Sequence, residues 1–123
     1  MPTFDVERNF IVGVHQTHIG KYDAAEGAFE AMAKEAKALG HWHAVARARS
    51  GQAMACYRMS RHQLAATYCE EAMAAALRAE CTDLTILIGG IWGGTLFMAG
   101  ELELGRERLE TTLQRSEAGW GYR

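Results

Sequence analysis

The sequence predicts an all-α fold of six helices, arranged as three stacked antiparallel pairs with no sheet, on three observations. After a turn at Gly20, the residues Ala25, Phe29 and Met32 recur at helical spacing on one face. Forty positions on, the pattern returns as Ala65, Cys69 and Ala72 after Ser60, and then as Gly105, Leu109 and Thr112 after Gly100. A fixed period met three times is the mark of repeated supersecondary units that bury their apolar faces on one another. The second observation is a set of small residues at matched places: Gly13, Ala53 and Gly93 before each turn, and Ala25, Ala65 and Gly105 after it. Small residues on paired helices let the two backbones approach closely. The third is that Pro2 is the only proline, so no later helix is interrupted by one.

Taken in order, Thr3 or Asp5 is expected to cap the first helix, which runs to about Ile19 with Phe10, Gly13 and Val14 on it. The second runs from about Tyr22 to Leu39, where Gly40 suits a C-terminal cap. His41-Trp42-His43 forms the turn or the opening of the third, which reaches about Met59. Ser60 is the expected cap of the fourth, ending near Glu80. Thr82 or Asp83 caps the fifth, which Gly100 ends. The sixth spans Glu101 to about Ser116, and the glycine-bearing tail 118–123 is expected to fray or pack irregularly. The whole chain reads as a single domain, 1–123, with repeats at about 5–40, 43–80 and 83–117.

The small residue, the Gly or Ser turn, Tyr22-Asp23-x-Ala25 and the later Phe29 resemble the tetratricopeptide repeat. The period of 40 is longer than the usual ~34 of that family. Asn9, Arg49 and Gly89 stand where its tryptophan is expected, the closing proline is missing, and no separate capping helix follows the sixth. The resemblance implies an α-solenoid whose first helices line a concave groove and whose usual work is binding a peptide or protein. On that geometry the groove takes Phe10, Val14 and His18 from the first helix. Arg47, Met54, Tyr57 and Arg58 come from the third, and Gly90, Gly94 and Phe97 from the fifth. Aromatic, methionine and arginine side chains make an adaptable binding surface. The Lys and Asn carboxylate clamp of chaperone-binding members has no counterpart at these positions.

The fifth helix carries Gly89, Gly90, Gly93 and Gly94. Each costs roughly 1 kcal/mol against alanine inside a helix, so close internal packing, or a ligand or partner helix lying on bare backbone, must offset them. The same helix is apolar on most sides. A homodimer is therefore expected, with Trp92, Leu96, Trp120 and Tyr122 at the interface.

The net charge is −2, and by repeat it runs −2, +2 and −2, the middle positive charges all being arginine. No segment is basic enough to make nucleic acid the expected partner. The longest apolar run, Leu84 to Ala99, is too short to span a bilayer, which needs about 20 residues. Three cysteines without CxxC spacing, and no basic-then-apolar leader, suggest a cytoplasmic protein with reduced thiols. Cys56 and Cys69 sit at apolar repeat positions, and Cys81 in a turn is the more reactive candidate. His15/His18 and His41/His43 lack acidic or cysteine ligands at standard metal spacing. There is no phosphate loop, GxSxG or HExxH, so no catalytic residue, metal or cofactor is assigned. The expected function is a protein-interaction module holding a peptide or helix in an apolar groove with arginine contacts. The alternatives are a small-molecule binder or unusual enzyme using His18, Tyr57 and Arg58, and a self-assembling structural module.

Overall fold

The computed structural model describes residues 2–120, with side chains from 5 to 117. Its helices are α1 (Pro2–His18), α2 (Tyr22–Ala38), α3 (Trp42–Arg58), α4 (His62–Arg78), α5 (Thr82–Met98) and α6 (Leu102–Trp120). No strand occurs among the described residues. Each helix packs antiparallel on the next through a three-residue turn, and α3 also touches both α1 and α5 along one side. The backbones of α2, α4 and α6 do not approach one another. The array therefore curves, with the odd-numbered helices on its concave side. No described helix is long and apolar enough to cross a membrane.

The turns repeat every twenty residues. Gly20, Gly40 and Gly100 take positive φ of 80°, 70° and 87°, and so do Ser60 (61°) and Glu80 (55°). A left-handed residue just past a helix end lets the next amides bond back to the last carbonyls, as Lys21 does to Gln16 and Arg61 to Cys56, both at 2.8 Å. This geometry corrects the expected caps. Ser60 ends α3 in the left-handed conformation, Arg61 precedes α4, and Cys81 precedes α5, each without a side-chain cap bond. Thr82 and Asp83 lie inside α5, and Asp5 lies inside α1, which already starts at Pro2. Helix α6 runs on to Trp120 rather than stopping near Ser116, because nothing between them breaks the backbone ladder.

The core is a seam of small and medium side chains. Ala25, Phe29, Met32, Ala53, Cys56, Cys69 and Ile88 are each at most 2% exposed. The ring of Phe29 is wedged between helices. A Cβ on Gly13 of α1 would lie 2.6 Å from it, and one on Gly51 of α3 would lie 2.7 Å from it. The four glycines of α5 divide into two pairs. Gly89 and Gly93 face α6 through Thr112, Leu109 and Gly105, so internal close packing accounts for them. Gly90 and Gly94 have nothing within 4 Å of where a Cβ would stand.

Candidate functional site

An open groove of about 510 Å3 crosses α1, α3 and α5 on the concave side. Phe10 and Val14 form its α1 wall, Ser50, Gly51 and Met54 its floor, and Leu84, Leu87 and Ile91 its α5 wall. The helical spacing of each set turns these positions to one side of its helix. Phe29 reaches the floor from α2 between the two glycines.

The polar groups stand at two ends. At one, the Arg47 guanidinium lies 4.3 Å over the Phe10 ring and pairs with both carboxylate oxygens of Glu7 at 3.3 Å. This holds its direction by stacking as well as by charge. Its Nε is shielded from solvent and has no hydrogen-bond partner. At the other end, His18 and Arg58 occupy the last turns of α1 and α3. His18 Nδ1 donates to the Val14 carbonyl at 2.9 Å. Arg58 is exposed and forms no ion pair among the described residues.

Of the ten groove residues expected from sequence, the structure brings together Phe10, Val14, His18, Arg47, Met54 and Arg58. It places the other four elsewhere. Tyr57 turns its ring edge onto His62 of α4 at 5.4 Å. Phe97 lies at the α5–α6 seam, 3.0 Å from where a Gly105 Cβ would be. Gly90 and Gly94 stay on open α5 backbone beside the groove wall. Trp92 and Leu96 line a separate cleft between α4 and α6, where Arg108 covers the Trp92 ring at 3.9 Å. The side chains of Trp120 and Tyr122 lie outside the described residues. Besides the ten expected residues, Thr17, Phe29, Ser50, Gly51, Leu84, Leu87 and Ile91 line the groove. The paired glycines at 13 and 51 were the available signal for Phe29.

A polar network that the sequence did not reveal ties α2, α3 and α4 together. Arg49 Nη1 donates to Glu30 at 2.9 Å and to the buried Gln52 at 2.7 Å, and its Nε lies 3.2 Å from Glu71. The Tyr68 hydroxyl donates to Glu26 at 2.8 Å. The hydrogen bond from Arg49 is the main reason the Glu30 carboxyl is held below its ordinary value. Burial, then the bond to Glu26, pushes the Tyr68 hydroxyl well up. Burial also pushes the Cys69 thiol up to about 12 and the Cys56 thiol to about 11, so both stay protonated at neutral pH. Cys81, at the start of α5, is partly exposed.

No family model matches the sequence, and none of the curated proteins compared matches it. Among solved structures, the crystal structure of the TPR domain of Arabidopsis FLU superimposes with a TM-score of 0.89 at 16% identity, covering 96% of this chain and 99% of that one. The chain therefore has the fold of a tetratricopeptide-repeat domain, with little of that domain's sequence.

Proposed function

We propose that this protein is an interaction module that holds a peptide or helix of a partner protein in the concave groove. The observation that carries this reading is the groove itself. An apolar trough runs across three helices, with a stacked, directed guanidinium at one end and an unpaired one at the other. Leu87 is 54% exposed on its wall, and Arg58 is exposed without an ion-pair partner among the described residues. An extended or helical segment with apolar side chains and an acidic group satisfies both. Selection from a displayed library of random peptides tests this. Selected peptides should lose binding to Ile91→Glu and Arg58→Glu but keep it for Lys34→Glu and Lys37→Glu, with helicity unchanged. Equal losses at both sets, or no selection at all, would place the binding surface elsewhere.

A second copy of the chain is a second reading, favoured by α5. Gly90 and Gly94 present bare backbone beside exposed Leu87 and Met98, 54% and 56% accessible. A helix from another chain can approach closely there. Light scattering at micromolar concentration should then give twice the mass of one chain for the wild type and one chain for Gly94→Glu. A monomeric wild type, or a Gly94→Glu variant that stays dimeric, removes α5 from any self-association.

A further inference from the structure

The twenty-residue rhythm creates two equivalent clefts on the convex side, one between α2 and α4 and the other between α4 and α6. A shift of forty residues maps the first onto the second. Glu30, Arg49, Gln52, Tyr68 and Glu71 become Glu70, Gly89, Trp92, Arg108 and Thr111. The first cleft is bridged at this level by Arg49, whose guanidinium joins Glu30 of α2 to Glu71 of α4. The second keeps the acid at Glu70 but has no arginine at 89. It stays open, with a volume of about 500 Å3.

The chemistry of its walls is one-sided. Glu70 from α4 and Glu107 from α6 form no ion pair among the described residues. The hydroxyl hydrogens of Thr67 and Thr111 are already given to the carbonyls of Gln63 (3.2 Å) and Glu107 (2.9 Å), which leaves their oxygens as acceptors. Arg108, the one cation in the lining, lies on the Trp92 ring and bonds neither glutamate. Two carboxylates and two hydroxyl acceptors above an apolar floor of Trp92 and Leu96 match a side chain that only donates and has an apolar stem. Lysine and arginine both meet that description, and arginine, with five N–H donors in a planar fork, is the residue that joins the two walls of the first cleft at Arg49.

We infer that the α4–α6 cleft is a second binding surface, which receives an arginine-bearing segment of a partner protein as Arg49 bridges the first cleft from within. It is distinct from the concave groove and carries the opposite charge.

The test is an NMR titration of the full chain with acetyl-arginine methylamide, against acetyl-citrulline methylamide as its neutral counterpart. The arginine probe should shift the amides of residues 67, 70, 107 and 111 and the Trp92 indole, and the citrulline probe should leave them in place. Glu70→Gln with Glu107→Gln should weaken the effect about tenfold or more, as loss of a charge-assisted pair does. Arg58→Glu, in the concave groove, should not change it. Shifts that are absent, scattered over other acidic surfaces, equal for citrulline or unaltered in the double variant would each overturn the inference. None of these outcomes bears on the peptide selection that tests the concave groove.

Discussion

In the first helix pair, the ring of Phe29 fills the space that two bare backbones leave, at Gly13 on one side and Gly51 on the other. In the third pair, Gly93 and Gly105 face each other directly. A Cβ on Gly105 would stand 3.0 Å from the Gly93 carbonyl oxygen and 3.1 Å from the Phe97 amide nitrogen. One seam is closed by a large side chain received by glycines, the other by backbone meeting backbone. Helical glycines carry the same intrinsic cost of about 1 kcal/mol wherever they stand. What lies opposite each one decides whether it is a packing requirement or an open strip such as Gly90 and Gly94.

The strongest way to break this comparison is to remove the wedge. Phe29→Ala should destabilise the protein by about 3–5 kcal/mol, because two glycines cannot collapse into the space a ring vacates. Denaturant unfolding followed by helicity measures it. A loss below about 1 kcal/mol would mean that the ring is not the element joining α1, α2 and α3.

The next effect has the same cause with the opposite change in volume. Gly13→Ala should cost about 1–3 kcal/mol despite alanine's better helix propensity. Its Cβ would stand 2.6 Å from a ring that Gly51 already confines on the other side. Gly94→Ala makes the same chemical change in open space and should stabilise by about 1 kcal/mol. The sign difference sharpens the comparison. If both variants were stabilised, the wedge would be loosely seated. If both were destabilised, some contact would be covering Gly94.

Much of the fold was readable because its information is local. Apolar spacing marked the helix faces, and Gly20, Gly40 and Gly100 marked three of the five turns. The other two turns place Ser60 and Glu80 in the left-handed region, a conformation their residue types do not announce. The true role of Ser60 was hidden for that reason. The groove was partly readable because residues three or four apart on one helix share a face, which gave Phe10 with Val14 and Met54 with Arg58. Phe29 was not, because its place depends on glycines from two other helices. Nor was the Arg49 network, whose members at 30, 49, 52 and 71 lie on three helices.

That network carries the smallest predicted effect, and it separates the first convex cleft from the second. Glu30 keeps its charge to lower pH than an ordinary glutamate, chiefly because Arg49 donates to it, and against the opposing influence of burial. The unfolded chain therefore binds a proton at this side chain more readily than the folded one does. Stability contributed by Glu30 is complete above the ordinary carboxylate range, and it is lost as the pH falls through that range to the lower folded value. With 35% of its side chain accessible, solvent screening keeps the contribution under about 1 kcal/mol and makes it sensitive to salt. Unfolding free energies measured from neutral to acidic pH should fall less steeply for Arg49→Gln than for the wild type, with the difference confined to the acidic limb. Glu30→Gln should flatten the same limb. Parallel curves for all three proteins would show that the guanidinium bridges the first cleft by shape and stacking, and that charge has no part in holding α2 to α4.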